Sequence, residues 1–178
     1  MDFFDAAQKR YSHKRKFAPT PVPLAHLEQI AAAGLSAPTG VNSQCVQLII
    51  LGRAELSKLD AIAHTNALST APAAIALFTD PEPPTGYWYD FSLEDYAAAS
   101  ATMCLASVAL GYVSLWLDSP FLIPEQERAA KAALGIPERC RFRIVIPVGH
   151  PAEEEIRRPK KPFAQRVSYG HYGQSKPQ

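Results

Sequence analysis

Apolar residues recur along the chain with two different spacings, and each spacing predicts one kind of secondary structure. Leu24, Leu27 and Ile30 follow one another at intervals of three residues, which predicts a helix over 24–34. The run over 45–51 is continuous and rich in branched apolar side chains, which predicts a buried strand. Both kinds of pattern occur in the same chain, so helices and strands are expected together.

The same criteria predict the remaining short elements. Further helices are expected over 3–11, 54–64 and 124–134, and further strands over 73–78, 112–117 and 142–148. Helices and strands are interspersed in chain order, with no internal repeat. We therefore predict an α/β (α+β) fold class with a central mixed sheet flanked by helices.

A long central helix is predicted from Ser92 to Leu110, where Gly111 ends it. Glu94 and Asp95 fall in its first turn, where the helix dipole favours negative charge, and this is the role expected of Asp95. Its other side chains are small or apolar on every side, which predicts a helix buried all round. The small side chains also permit close approach of a second helix, in this chain or in another copy.

Composition and charge exclude several classes of protein. The chain has 178 residues, with 18 Lys and Arg against 17 Asp and Glu, so no overall field points to nucleic acid or an anionic membrane. The three cysteines form no paired motif, so neither a disulfide framework nor a zinc site is indicated. We expect one domain over 1–178, with a polar C-terminal tail over 152–178 that cannot form a core of its own. The first residues lack a signal-peptide pattern, so a cytoplasmic protein is expected.

Motifs for the commoner catalytic chemistries are missing from the sequence. There is no GxGxxG after a strand, no Walker A motif, no HExxH and no GxSxG. Metal-dependent and hydrolytic functions are therefore unsupported. We expect no bound metal and no catalytic side chain.

The stretch 37–44, which we call the polar loop, separates the helix over 24–34 from the first strand and reads APTGVNSQ. Proline, glycine and short polar side chains predict a loop. It contains no strong acid or base and no soft metal ligand. Accessible backbone N–H groups and short polar side chains are better suited to holding a planar polar ligand than to attacking one.

Cationic side chains are clustered near both ends of the chain. Arg10, Ser12 and Lys14 alternate, so in extended backbone they would share one face. A second cluster, Arg157, Arg158, Lys160 and Lys161, surrounds a proline near the C-terminus. A guanidinium fork, a hydroxyl and a lysine suit a phosphate group. The alternative is that both clusters are solvated surface charge.

In its motifs and their order, the chain resembles the FMN-dependent nitroreductase family. The resemblance rests on RYSHK at 10–14, on the polar loop, on the alanine-rich helix and strand through 93–117, and on RPKKP at 158–162. It implies an intertwined homodimer in which FMN lies at the interface, with the C-terminal tail crossing to the partner. The FMN-binding residues that it implies are Arg10, Tyr11, Ser12, Lys14, Pro38, Thr39, Gly40, Asn42, Gln44, Asn66, Trp116, Leu117, Asp118, Ser119, Arg158 and Lys160.

The resemblance also implies roles for these residues. Arg10 and Ser12 would hold the phosphate or ribityl end of FMN, Arg158 and Lys160 would complete the phosphate site, and Lys14 would lie by the pyrimidine edge, where a cation stabilises reduced flavin. The polar loop would reach the flavin of the partner subunit. For Asp118 the sequence favours a turn residue at a strand end over a catalytic acid, and for Cys45 it favours a small buried hydrophobe over a thiol nucleophile.

The implied activity is transfer of reducing equivalents from NADH or NADPH through FMN to nitro compounds, quinones or similar electrophiles. Two alternatives stay open: a flavin-dependent dehydrogenase or dehalogenase reaction on the same fold, and a flavin-binding protein without turnover. For the substrate, the aromatic residues Tyr87, Trp88 and Tyr89 are candidates, or they pin their proline-rich loop.

Overall fold

A four-stranded antiparallel sheet lies at the centre of the structure, which is a computed structural model describing residues 1–81, 89–154 and 157–177. The strand order is β1-β2-β4-β3. The strands are β1 (Val46–Leu51), β2 (Ala73–Thr79), β3 (Val113–Ser114) and β4 (Arg141–Gly149). All three strand pairs are antiparallel, so the predicted mixed sheet is wrong. A strand buried on both faces has the same apolar run in either orientation, and the sequence pattern could not distinguish them.

Six α-helices surround the sheet in the described part of the chain. They are α1 (Phe3–Lys9), α2 (Leu24–Leu35), α3 (Arg53–Ala63), α4 (Asn66–Thr70), α5 (Ser92–Ala109) and α6 (Pro124–Leu134). Five of them match the predicted helices to within two residues at each end. The short α4 was not predicted, because five residues are too few to show a periodic pattern.

Helices cover both faces of the sheet. Successive side chains of β2 point to opposite faces, and all of its first five are buried. Ile75 and Leu77 pack in one core with α2 and α5, whereas Ala74 and Ala76 pack in the other with α3 and α6. The helix α5 therefore packs on the same face of the sheet as α2, which directly precedes the polar loop.

The long helix α5 is buried on one side only. Ala99 and Met103 pack in the core, whereas Leu93 is 58% exposed and Ala101 is also exposed. The prediction of a helix buried all round is therefore wrong for the single chain. Small and apolar side chains predict burial but do not say whether the covering surface belongs to the same chain.

Close contact between α2 and α5 explains one further difference from the sequence prediction. Gly34 does not end α2 but lies inside it, and Ser36 is the C-terminal cap. A Cβ added at Gly34 would lie 2.6 Å from Cγ of Met103. Glycine at this position thus allows close packing of α2 on the Met103 side chain, and the helix ends one residue later, at Leu35.

The N-terminal segment is tied to both β3 and the chain after β4. Arg10 has extended backbone (φ −60°, ψ 128°), as the alternation of side chains from Arg10 to Lys14 required. Ser12 forms an isolated parallel bridge with Ser114, and Phe17 forms an antiparallel one with Pro151. These contacts bring the two ends of the chain to the same edge of the sheet.

The C-terminal tail has little regular structure over 157–177. Its one element in the described part is a 3-10 turn, Phe163–Gln165, and the side chains of the tail are almost all exposed. None of the helices described combines the length and apolar character that a membrane crossing needs.

Candidate functional site

The two cationic clusters line one cavity of about 420 Å³ at the edge of the sheet, which we call the cationic pocket. Its described lining residues are Gln8, Arg10, Tyr11, Ser12, Lys14, Arg157, Arg158 and Lys160. Six of these belong to the set implied by the resemblance. The structure thus brings together side chains that are about 150 positions apart in the sequence.

Positive charge predominates among the described residues of the cationic pocket. None of the described lining residues is acidic. Across residues 1–81, 89–154 and 157–177, no ion pair involves Arg10, Arg157, Arg158 or Lys160. Like charges in one cavity repel each other, so an anion bound there would relieve the repulsion.

Sheet pairing and an aromatic contact position the cationic side chains. The bridge between Ser12 and Ser114 holds this segment in extended form, so Arg10, Ser12 and Lys14 share a face. The guanidinium of Arg157 lies over the ring of Tyr11, 4.4 Å from its centroid, which is a cation–π contact. Arg157 and Gln8 were absent from the implied set, although Arg157 stood in the basic cluster that the sequence shows.

The polar loop lines a different cavity, of about 680 Å³, together with the end of α2 and the edge strand β1. Four of its residues that the resemblance implicates lie on the wall: Pro38, Thr39, Asn42 and Gln44. Gly40 is not on this wall, because its backbone is pressed against Phe91. A Cβ added at Gly40 would lie 2.2 Å from Cγ of Phe91.

The backbone of the polar loop is strained. Val41 (φ 49°), Asn42 (φ 57°) and Gln44 (φ 50°) all have left-handed conformations without being glycine. Asparagine tolerates this region, whereas a β-branched valine rarely adopts it. Each such residue costs about 1–3 kcal/mol and persists only where surrounding contacts enforce it. The loop conformation must therefore be held by specific contacts.

Those contacts converge on the buried carboxylate of Asp95 in the first turn of α5. The Gly40 N–H donates to Oδ1 at 2.7 Å, and the Ser43 hydroxyl donates to Oδ2 at 2.7 Å. The Cys45 thiol donates to Oδ2 at 3.4 Å. Asp95 occupies the position that the sequence predicted, but its carboxylate also accepts hydrogen bonds from the loop, which no spacing rule indicated.

Cys45 lies at the base of the polar loop, directly before β1, and is buried. Burial raises the pKa of its thiol to about 11, and the Asp95 carboxylate acts in the same direction while a hydrogen bond with Ser43 opposes them. The thiol is therefore protonated at neutral pH and is a poor nucleophile. The interpretation of Cys45 as a small buried residue rather than a nucleophile is confirmed.

The segment after β3 carries four more residues of the implied set. The indole N–H of Trp116 donates to Asp118 Oδ2 at 2.8 Å, and Leu117 is buried and bridges Val145. Ser119 begins a 3-10 turn that Asp118 precedes, which agrees with Asp118 as a turn residue. None of the four lines the cavities described, but they follow the strand to which Ser12 is bridged.

No element was predicted between the helix over 54–64 and the strand over 73–78, but Asn66 lies in a short helix there. It is the first residue of α4, capped by Thr65, and its backbone carbonyl accepts from Ser69 and Thr70. The short helix was invisible to the sequence pattern, so the neighbouring position was mistaken for a loop. Asn66 lines neither of the two cavities.

Among the three aromatic candidates for substrate contact, Tyr87 and Trp88 lie outside the described residues. Tyr89 is exposed, and its hydroxyl donates to Glu94 at 2.9 Å, which raises the pKa of the phenol. Its ring packs on Phe91 with centroids 4.6 Å apart. Tyr89 is therefore linked through Phe91 to Gly40 of the polar loop.

The cationic pocket and the polar loop lie at opposite ends of α5. The loop is held by Asp95 in the first turn, whereas β3, to which Ser12 is bridged, directly follows the last turn. Near that end, burial raises the pKa of the Cys104 thiol and the charge of Arg10 opposes the rise. Asp95 and Cys104 are nine residues apart, about 14 Å along a helix.

The described residues contain no cluster of three or more His, Cys, Asp or Glu side chains arranged to hold a metal ion. What the geometry offers instead is an anion site beside the sheet edge and a rigid polar loop with accessible backbone. Among their described lining residues, neither contains a nucleophile activated by a base. The arrangement is suited to binding and orienting a phosphorylated ligand.

Comparison with known proteins agrees with this chemistry. Residues 7–88 match the model of the Nitroreductase family. A protein of Archaeoglobus fulgidus, provisionally named NADH dehydrogenase/NAD(P)H nitroreductase, is 34% identical over 133 residues, which cover 72% of this chain and 74% of that protein.

Two solved structures show the same fold over nearly the whole chain. A protein of Bacteroides thetaiotaomicron with the same provisional name superposes with a TM-score of 0.81 at 24% identity, covering 96% of this chain and 98% of that one. A nitroreductase-like protein of Desulfovibrio desulfuricans in complex with FMN gives a TM-score of 0.76 at 26% identity, covering 92% and 98%. From the sequence match, the coverage and the shared fold, we conclude that the chain belongs to the nitroreductase family.

Proposed function

We propose that this protein is an FMN-dependent oxidoreductase that passes reducing equivalents from NADH or NADPH to a nitro compound, a quinone or a similar electrophile. The observation that carries the proposal is the cationic pocket, in which five cationic side chains from both ends of the chain surround one cavity. The FMN in the Desulfovibrio relative and the name of the Archaeoglobus relative support the choice of cofactor and electron donor.

The donors around the cationic pocket fit the phosphate group of FMN. Arg10 and Arg158 present planar guanidinium groups that can bind two phosphate oxygens at once, and Lys160 adds a point charge. The Ser12 hydroxyl adds a neutral donor to the same pocket. A phosphate dianion would neutralise part of a cluster that has no acidic residue among its described lining side chains.

The remaining residues would orient the ring system rather than react. The polar loop offers short polar side chains and backbone N–H groups, and Lys14 would place a cation beside the ring, where it favours the reduced form. When bound, FMN would supply the atom that accepts and donates hydride, so that no side-chain acid or base is required. The segment Trp116–Ser119 follows the strand bridged to Ser12 and would complete the wall.

We infer a homodimer in which one flavin is held by two chains. The polar loop contacts Asp95 in the first turn of α5, whereas Ser12 of the cationic pocket is bridged to β3 beyond the last turn, and in one chain the two regions line separate cavities. A loop supplied by a second copy would meet the cationic pocket of the first. Two equivalent sites would then form around a two-fold axis.

Exposed surface supports the same inference. The chain exposes 10733 Å², whereas a compact monomer of 19.5 kDa would expose roughly 8,500 Å². Large apolar side chains contribute to the excess at both ends of the chain, with Phe4 82% exposed and Phe163 69% exposed. Burying these residues against a partner, with the C-terminal tail crossing to it, would remove them from water.

Anaerobic titration of the purified protein with FMN present tests the proposed function. We expect bound flavin to give a yellow protein whose absorbance near 450 nm is lost, in the order of one equivalent of NADH or NADPH per flavin, and regained on adding a quinone. A nitro compound added in place of the quinone should restore the colour in the same way. FMN omitted from the titration is the control.

Two other outcomes would contradict the proposal. A protein that takes up no FMN under any condition would exclude both this function and the flavin-based alternatives. A protein that binds FMN but is reduced by neither nicotinamide would favour a dehalogenase-type reaction or a binding role without turnover.

A further inference from the structure

The carboxylate of Asp95 is used by no step of the proposed function, yet it is 2% exposed and placed at the contact between α5 and the polar loop. Both of its oxygens accept hydrogen bonds from that loop. The donors are the Gly40 N–H at 2.7 Å, the Ser43 hydroxyl at 2.7 Å and the Cys45 thiol at 3.4 Å. The three donors lie before, within and after the strained part of the loop.

A favourable interaction with the helix dipole does not account for this arrangement. An exposed carboxylate such as that of Glu94, one residue earlier, would interact with the helix dipole equally well. Burial of a carboxylate is costly unless it is paired or fully hydrogen-bonded. In the part of the chain that the structure describes, no ion pair involves Asp95, so its hydrogen bonds to the loop are its compensation.

We propose that Asp95 is the positioning residue of the polar loop, and that its carboxylate sets the affinity of the protein for FMN by holding the left-handed backbone from Val41 to Gln44 in its binding conformation. The inference rests on the proposed function, because the loop is taken to contact flavin. Asp95 acts through the loop and is given no contact with the flavin itself.

The chemistry requires a carboxylate rather than an amide. Ser43 and Cys45 both donate to the same oxygen, Oδ2. An asparagine would present an NH₂ group at one of the two positions, which cannot accept a hydrogen bond. The buried Cys45 thiol stays protonated at neutral pH and so remains a donor. The change Asp95→Asn therefore preserves shape but removes acceptors from the loop.

The test compares Asp95→Asn with a matched change on another helix. Glu127 lies in the first turn of α6 and also accepts from a backbone N–H on another element, that of Phe142 at 3.3 Å. We expect Asp95→Asn to weaken FMN binding by at least about tenfold and to alter the visible absorption spectrum of bound FMN. Glu127→Gln should change FMN affinity by less than about twofold. FMN dissociation constants come from fluorescence quenching, and unfolding free energies of the apoprotein from urea titration.

Ser43→Ala provides a milder variant, since it removes one donor and leaves the buried carboxylate in place. We expect it to weaken FMN binding by about three- to tenfold, and the double variant to lose less than the product of the two single effects, because both act through one contact. If Asp95→Asn does not fold, the comparison of Ser43→Ala with wild type decides.

The proposal would be overturned if the wild type bound FMN and the Ser43→Ala variant bound it with the same affinity and the same absorption spectrum. It would be overturned too if Asp95→Asn and Glu127→Gln weakened FMN binding by the same factor for the same loss of unfolding free energy. A wild type that takes up no FMN would instead defeat the proposed function itself, so the two failures are distinguishable.

Discussion

The cationic pocket and the polar loop differ in charge, in exposure and in backbone strain. The pocket consists of exposed or half-exposed cations on segments from the two ends of the chain. The loop has almost no charge, but its backbone is strained and fixed by a buried carboxylate. One region is defined by its charge, and the other by its conformation.

This difference indicates which part of FMN each region binds. Solvated cations attract any phosphate, and they cost little in folding energy because they remain in water. A strained loop recognises shape at close range, and it requires rigid support from the core. We therefore expect the pocket to select for the phosphate of FMN and the loop to act on the rest of the molecule. Riboflavin, which lacks the phosphate, separates the two contributions.

The largest effect should come from removing charge from the pocket. Arg10→Ala should weaken FMN binding by about 2–3 kcal/mol, roughly 30- to 150-fold, because a charge-assisted hydrogen bond to phosphate is lost. Riboflavin binding should change by less than about threefold. Titration of the apoprotein with each ligand measures both affinities.

Arg128→Ala is the matched control for Arg10, since Arg128 is an exposed cation on α6 whose ion pair with Glu125 is a surface contact. It should leave both affinities unchanged. Equal losses of FMN and riboflavin affinity in Arg10→Ala would contradict the assignment of the pocket to phosphate.

A second, smaller effect is expected from displacing the loop. Gly40→Ala would place a Cβ 2.2 Å from Cγ of Phe91, so the loop and the Phe91 side chain must move apart. Overpacking of this kind costs about 1–3 kcal/mol, and we expect roughly tenfold weaker binding of FMN and riboflavin alike. The ratio of the two dissociation constants should be nearly that of the wild type.

Gly111→Ala separates loop displacement from general destabilisation. Gly111 has φ +86°, and no heavy atom lies within 4 Å of the position that an added Cβ would take, so alanine there is strained without a clash. It should lower the unfolding free energy by about 1 kcal/mol and leave both flavin affinities unchanged. A Gly40→Ala protein that lost only FMN affinity would show that the loop, too, reads the phosphate.

A smaller difference is expected from ionic strength, which should weaken the binding of FMN more than that of riboflavin. Raising the ionic strength from about 0.05 to 0.5 M shortens the screening length to a few ångströms and should weaken FMN binding by about three- to tenfold. Riboflavin binding should vary by less than about twofold over the same range. If the affinities for FMN and riboflavin fell equally with salt, the cations of the pocket would not be binding the phosphate group.

The smallest expected effect concerns the ring beneath Arg157. Tyr11→Leu removes the cation–π contact at 4.4 Å and should weaken FMN binding by about two- to fivefold, since such contacts are worth about 0.5–1 kcal/mol at exposed sites. Tyr11→Phe keeps the ring face and is the control. Similar losses in both variants would assign the effect to the hydroxyl instead.

The cationic pocket could be predicted from the sequence to a large extent. The alternation of Arg10, Ser12 and Lys14 already specified a common face, and the bridge to Ser114 enforces the extended backbone this needs. Their meeting with Arg158 was implied only by the family resemblance. No local pattern states which distant segment will pair at a sheet edge.

The polar loop could be predicted as a loop but not in its conformation. Nothing in APTGVNSQ indicates left-handed valine or glutamine, because those residues adopt it only under tertiary contacts. Asp95 was correctly predicted as a first-turn carboxylate, yet its hydrogen bonds to residues 50 to 55 positions earlier are invisible in the sequence. The sheet orientation failed for the same reason, since pairing is a long-range property.

A test of complementation between two defective chains addresses most directly the claim that one flavin is held by the pocket of one chain and the loop of another. Arg10→Glu and Gly40→Ala are each expected to lose most of their bound FMN when alone. Co-expressed with different tags, they should form mixed dimers in which one of two sites combines an intact pocket with an intact loop. With random pairing, half the dimers are mixed, so FMN content should recover to about a quarter of wild type. No recovery in purified mixed dimers, or a protein that stays monomeric with FMN bound, would contradict the shared site.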